Sequence, residues 1–338
     1  MKQRILIVLC SFFFLLSCSL GDKESKSWTI ALPSYFPSLN IPDKNPMNQA
    51  KIELGARLFY DPLLSRDSTI SCASCHFAEF AFSDHQVKSK GFGNSQSVRN
   101  SPVLFNLAYA PYLMMDGGVP SLELQIVAPL MHEGEMAFDL FELEQRLSRH
   151  IEYQNLAEQA FGRALDAGAI AYAIAAFERS LLSYQSKYDN FLSGEKLALN
   201  SEEIRGRDLF FSDSLNCNAC HAGFNFTDYG FYNIGLYDHY EDPGRWRVTE
   251  DSLDLGKFKV PTLRNIEFSA PYMHDGSIAD LEEVISFKMS GGAAHPNKSE
   301  KVKGFKLNEK DQKALLSFLY SLSDPIFVAR EIDRREKL

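Results

Sequence analysis

The sequence predicts a mostly α fold made of two tandem copies of one unit, and three observations predict it. A Cys-x-x-Cys-His pentad occurs twice, as Cys72-Ala-Ser-Cys-His76 and as Cys217-Asn-Ala-Cys-His221. The same short words surround both pentads in the same order. Gly55-Ala-Arg-Leu-Phe59 and Gly206-Arg-Asp-Leu-Phe210 precede them, and Pro102-Val-Leu-Phe-Asn106 and Pro261-Thr-Leu-Arg-Asn265 follow. Ala110-Pro-Tyr112 with Asp116-Gly117 then matches Ala270-Pro-Tyr272 with Asp275-Gly276. The stretches between carry helical periodicity, and none has the alternation and hairpin punctuation of a sheet.

The chain has 338 residues, enough for about two domains on the length prior. Hydrophobic residues make up 45% and charged residues 23%, an ordinary globular balance. A net charge of −9 argues against a nucleic-acid partner and favours a basic protein partner.

In chain order, residues 1–18 read as a secretory signal. Lys2 and Arg4 precede Ile5 to Leu16, an apolar run too short to span a bilayer comfortably. It ends in Leu15-Leu16-Ser17-Cys18, which reads as a lipobox with Cys18 lipidated; ordinary cleavage nearby is the alternative. Residues 19–46 read as an extended tether, polar from Gly21 to Ser27 and then broken by Pro33, Pro37, Pro42 and Pro46. Residues 47–195 form the first unit and 196–338 the second, with the boundary in Ser193 to Asn200. Ala169 to Phe191 reads as one long apolar-periodic helix stopped by Gly194. Ser201 caps a helix over Glu202 to Phe211, and Asn308 caps one over Glu309 to Leu322 whose Leu315, Leu316, Phe318 and Leu319 share a face.

The cysteines decide the chemistry of the units. Cys10 and Cys18 belong to the leader, and the other four all lie in the pentads, so none remains for a disulfide framework. A dithiol redox pair needs no histidine after its second cysteine, and a structural zinc site needs four ligands converging from both pentads. Covalent haem attachment needs two thiols for two vinyl groups and an adjacent imidazole for iron. Cys72, Cys75, Cys217 and Cys220 are therefore the attachment thiols, and His76 and His221 the proximal iron ligands. The two units are tandem cytochrome c-like haem domains from an internal duplication.

The ordered set SCASCH, RNSPVLFN, SLELQIVAPLMHEGEM, NCNACH, FKVPTLRN and APYMHDGS resembles the bacterial dihaem cytochrome c peroxidases and their MauG relatives, from about Gly55 to Leu322. The resemblance implies a peroxidatic haem in the N-terminal domain and an electron-transfer haem in the C-terminal one. It maps the distal pocket onto Gln125, Pro129 and Glu135. Heterolysis of peroxide needs a group that takes a proton from the near oxygen and returns it to the far one, which a carboxylate at Glu135 can do, while Gln125 orients the peroxide. Some members close the peroxidatic haem with a loop histidine; the equivalent position here is Phe92, and His85 lies seven residues earlier. That implies an N-terminal iron open without prior reduction.

At the C-terminal haem the family supplies methionine or tyrosine. The aligned residue is Lys288, and Met289 follows it; a one-residue shift in a loop makes Met289 the expected sixth ligand, with Lys288 its rival and His295 a loop hydrogen bonder. The family's inter-haem tryptophan is Met115 here, so electrons pass through Met115, Tyr112 or directly by tunnelling; Trp28 and Trp246 lie in no matching motif. The resemblance also implies a calcium ion on the Asn100 side chain and the Ser269 and Pro271 carbonyls. The expected function is reduction of hydrogen peroxide with electrons from a small cytochrome c or cupredoxin, in the periplasm or cell envelope, with homodimers common in the family. A MauG-like oxidase acting on a partner protein and a non-enzymatic dihaem electron carrier are the alternatives.

Overall fold

The computed structural model describes residues 28–338; the leader, the Cys18 anchor and the polar stretch to Ser27 lie outside the described residues. The first half carries helices α1 (Gln49–Tyr60), α2 (Leu122–Gln125), α3 (Val127–Met131), α4 (Leu140–Leu147), α5 (Ile151–Phe161) and α6 (Ala167–Ser180). Then follow α7 (Lys187–Leu192), α8 (Ser201–Phe210), α9 (Trp246–Thr249), α10 (Leu281–Ser290), α11 (Glu309–Tyr320) and α12 (Pro325–Glu336). The sheet content of the described residues is one antiparallel pair, β1 (Phe231–Tyr232) with β2 (Phe258–Lys259). The fold is mostly α, as the periodicity predicts.

Each half is organised by one helix crossing at a glycine. A Cβ on Gly55 of α1 would stand 1.9 Å from the Ala173 carbonyl oxygen of α6. A Cβ on Gly206 of α8 would stand 1.8 Å from the Ala314 carbonyl oxygen of α11. Only hydrogen fits there, so backbone packs directly on backbone. One turn along, Phe59 meets Phe177 with ring centroids 5.1 Å apart, and Phe210 meets Phe318 at 5.4 Å. Phe82 and Phe226 complete the two triads, 5.8 Å from Phe59 and 6.0 Å from Phe210. Each of these six rings is buried, worth about 1.5–3 kcal/mol apiece in transfer terms. Side-chain caps fix where the crossing helices begin: Asn48 for α1, Asp166 for α6, Asn200 with Glu203 for α8, and Asn308 for α11.

The single helix expected over 169–191 is two. After Ser180 the chain leaves helical geometry because its polar groups are claimed from far away. Ser183 Oγ and the Tyr184 and Gln185 amides all donate to Asp324 Oδ2, at 2.9–3.0 Å. Ser186 then restarts a helix with a capping box to Asp189. Tyr188 on α7 already belongs to the second core. Conversely, α12 returns to the first core, where Phe327 packs against Phe82 and Phe105. Asp324 caps α12 and Pro325 occupies its first turn, a start signal the sequence carried but the reading missed.

Residues 28–46 have no helix or strand, as the prolines predict, yet they are not loose. Tyr35 donates to Asp189 Oδ1 at 2.7 Å, and Phe36 lies 4.7 Å from Phe224. The buried Arg264 holds this junction together, with two 2.8 Å bonds to Asp189 and its Nε on the Phe224 carbonyl. Removing one partner of such a buried pair costs about 3–5 kcal/mol. The duplicated word around Arg264 has Phe105 in its place, so the two copies use the same position for different fastenings.

Gly→Ala in a helix ordinarily gains about 0.5–1 kcal/mol. At Gly55 and Gly206 the added methyl meets backbone, and overpacking of about 1–3 kcal/mol or more wins. Thermal unfolding of Gly55→Ala and Gly206→Ala should show a lowered Tm in both; an unchanged or raised Tm in either contradicts the crossing account.

Candidate active site and haem-attachment centres

Each pentad folds as a single tight turn, over Cys72–Ser74 and Cys217–Ala219, with the histidine amide returning to the first cysteine carbonyl at 3.1 and 3.0 Å. None of the four cysteines is in a disulfide. Among the described residues no group of three or more His, Cys, Asp or Glu side chains converges on a point, which removes the shared zinc site.

The core triads aim the histidines. Phe82 and Phe226 sit in left-handed backbone geometry, with φ of 61° and 50°. That turns their carbonyls onto the histidine rings: the His76 Nδ1–H donates to the Phe82 carbonyl at 2.8 Å, and the His221 Nδ1–H to the Phe226 carbonyl at 3.0 Å. This assigns the tautomer by its partner and leaves each Nε2 lone pair for a metal. Burial lowers the basicity of both rings, His221 to about 4, so each is a neutral ligand at pH 7. Sequence reasoning did not identify these carbonyls. The signal was a Phe-x-Phe word after both pentads, Phe80-Ala-Phe82 and Phe224-Asn-Phe226.

Around the first pentad, burial pushes the Cys75 thiol up to about 11, and the carboxylates of Asp84 and Glu135 add to the rise. Glu135 is thus within electrostatic reach of this centre. Its own carboxyl is half-buried, and that partial burial raises its basicity against the pull of His132, whose Nδ1 lies 3.9 Å away. The Glu135 loop is clamped by the loop that carries Phe92. The Phe92 amide donates to the Glu135 carbonyl at 2.8 Å, and Ser95 Oγ donates to the Gly134 carbonyl at 2.6 Å. Gly91 packs so closely on Gly134 that a Cβ would lie 1.9 Å from its carbonyl oxygen. Gln125, at the end of α2, is half-buried with its amide 4.0 Å from the Met114 sulfur.

His85 is engaged elsewhere. Its ring stacks on Phe80 at 3.8 Å, and its Nε2 lies 3.2 Å from the Phe268 carbonyl of the second half. A second group near the first pentad was not foreseen. Glu178 of α6 is buried, pushed up to about 8 by that burial, and adds to the rise of the Cys72 thiol; one of its oxygens has no hydrogen-bond partner among the described residues.

Around the second pentad, one expectation needs correcting. Lys288 and Met289 do not lie in a loop: α10 runs through Ser290 and ends at Gly291 in left-handed geometry. A one-residue step inside a helix turns the side chain by about 100°, so the two residues cannot exchange places by a loop shift. Met289 packs on the second core. Lys288 is held down to about 8 by burial, with the nearby Cys220 and Cys217 pulling the other way, and its charge in turn lowers the basicity of His221. His295 Nδ1 accepts from the Asn297 amide at 3.0 Å, the local bonding expected of it.

Between the halves, the Met115 carbonyl accepts from the Lys259 amide at 2.7 Å, and Arg99 bridges Asp116 and Asp242 at 2.8 and 2.6 Å. Tyr112 is exposed, 6.2 Å from Phe231. Asn100 is buried; its amide nitrogens bond the His274 and Gln86 carbonyls, while its side-chain oxygen and the Ser269 and Pro271 carbonyls accept no hydrogen bond from described residues.

Two pentads, each with an oriented imidazole on a glycine-crossed helix pair, define a two-haem c-type scaffold. A family model for di-haem cytochrome c peroxidase matches residues 49–197. The chain is 36% identical over 323 residues to cytochrome-c peroxidase IdrP1 of Denitromonas iodatirespirans, covering 85% of each protein. It is 35% identical over 289 residues to methylamine utilization protein MauG of Methylorubrum extorquens, covering 84% of this chain and 81% of that one. A solved structure of a MauG-like protein associated with microbial copper homeostasis matches with a TM-score of 0.86 at 34% identity, over 89% of this chain and 97% of that chain. The chain belongs to the di-haem cytochrome c peroxidase family, and its cofactors are two c-type haems.

Proposed function

We propose that the protein reduces hydrogen peroxide to two waters, taking two electrons singly from a small redox protein and two protons from solvent. The observation that carries this is the Glu135 loop, pinned beside the first pentad with its carboxyl raised in basicity by burial. Bound at that pentad, a haem supplies an iron that binds and reduces peroxide. Glu135 takes the proton from the near peroxide oxygen and delivers it to the far one, so that the leaving oxygen departs as water. Gln125 holds the peroxide by its amide. The Phe92 loop offers no imidazole, and His85 is tied to the second half, so the first centre needs no reductive opening. Electrons pass between the centres through Met115, through Tyr112 or directly by tunnelling, in place of a tryptophan.

The donor is a cytochrome c or cupredoxin, and the net charge of −9 favours a basic one. The protein acts in the periplasm or cell envelope, anchored through Cys18; among the described residues no helix is long and apolar enough to cross a membrane. A calcium ion held by the Asn100 side chain and the Ser269 and Pro271 carbonyls belongs to the same proposal, because those three oxygens accept no hydrogen bond from the described residues. Calcium added to chelator-treated protein should raise its Tm, and Asn100→Ala should abolish the increment.

Glu135 must be ionised to accept the first proton. Its carboxyl is raised above 4.5, so activity is present at neutral pH and lost as pH falls through a value above 4.5. Glu135→Gln should lower kcat/KM for peroxide by about 10²–10⁴-fold and remove that acid limb while both haems remain attached. An unchanged rate and pH profile would end the assignment of Glu135.

A further inference from the structure

The duplication carries a comparison that bears on the second haem. Ser121 caps α2 by accepting from Leu124, and Asp280 caps α10 by accepting from Glu283. The preceding loops pair alike, Leu113 with Val119 and Tyr272 with Ile278. In this register Leu122 matches Leu281 and Ile126 matches Ile285, and all four are buried. The next inward positions are Leu130 against Met289, and Pro129 against Lys288. Leu130 is 1% exposed in the first core, and Met289 packs on the second core while its carbonyl accepts from Phe305. Met289 therefore stands at the register position of a core residue and is half-buried against the second core.

Lys288 completes the inward stripe of α10 at Leu281, Ile285 and Lys288, spacings of four and three that share a helix face. Its helix lies beside the second pentad, since Met289 of α10 and Cys217 pack against the same core. Its Nζ has no hydrogen bond or ion pair among the described residues, and it lies 5.3 Å from the Phe287 ring. Three other lysines of the second half are engaged: Lys301 on the Ala219 carbonyl and Tyr232, Lys298 on the Gly291 carbonyl, Lys259 on the Tyr112 carbonyl. An ammonium turned inward without an acceptor is costly, whereas a neutral amine offers one lone pair to a metal. We propose that Lys288 Nζ, and not the Met289 thioether, is the sixth ligand of the haem iron at the second pentad. Pro129, the matching residue in the first half, has no side-chain donor atom and cannot close the first iron in the same way.

This assignment rests on the haem at the second pentad and not on the peroxide reading, so it is tested without peroxide. The oxidised holoprotein is compared with Met289→Leu, Lys288→Ala and Lys288→Gln by electronic absorption, magnetic circular dichroism and reduction potential, with two haems per chain as the measure of intact folding. The wild type should lack the near-infrared thioether-to-iron charge-transfer band. Met289→Leu should leave the low-spin signal and potential of the second iron unchanged. Both Lys288 variants should change that signal and that potential; Lys288→Gln keeps the chain length if the truncation to alanine fails to accumulate. A thioether band in the wild type overturns the proposal, as does a second-iron signal lost in Met289→Leu or kept in the Lys288 variants.

Discussion

The contact on which the rest of the structure depends is a helix crossing with no side chain in it. Gly55 on Ala173, and Gly206 on Ala314, bring two helices to backbone contact in each half. That closeness puts Phe59 beside Phe177 and Phe210 beside Phe318, and gives Phe82 and Phe226 a place to pack. Because those two phenylalanines are anchored in left-handed geometry, their carbonyls point at the histidines. The line runs from a missing methyl group to the orientation of an imidazole. Larger residues at either glycine would disturb the metal ligand without touching it.

On this shared scaffold the copies differ where chemistry requires it. The first half carries Glu135 on a loop clamped to that of Phe92, and it has Pro129 where the second half has Lys288. Lys288 and Met289 lie on one continuous helix. The halves are fastened by unlike devices placed at like positions. Arg264 ties the second half to α7 and the N-terminal arm, where the first copy has Phe105 receiving Phe327 from α12.

Much of this was legible in the sequence because it was written twice. The pentads, the repeated words, α8 and α11 can be read from local pattern, although the cap of α8 is Asn200 and not the expected Ser201. The break between α6 and α7 could not be, because its cause is Asp324, about 140 residues further along the chain. The destination of α12 and the partner of His85 are likewise long-range contacts that no local pattern encodes. The loop expected around Met289 is the last turn of α10, whose left-handed cap, Gly291, comes two residues later. The carbonyls that orient the histidines are backbone atoms, visible in sequence only as a repeated Phe-x-Phe.

Two similar pentads with one open iron and one closed iron is the central claim, and electron paramagnetic resonance of the fully oxidised protein tests it most directly. A high-spin ferric signal from the first centre should stand beside a low-spin ferric signal from the second. Two low-spin signals with no high-spin component would mean that both irons are capped, and would contradict it.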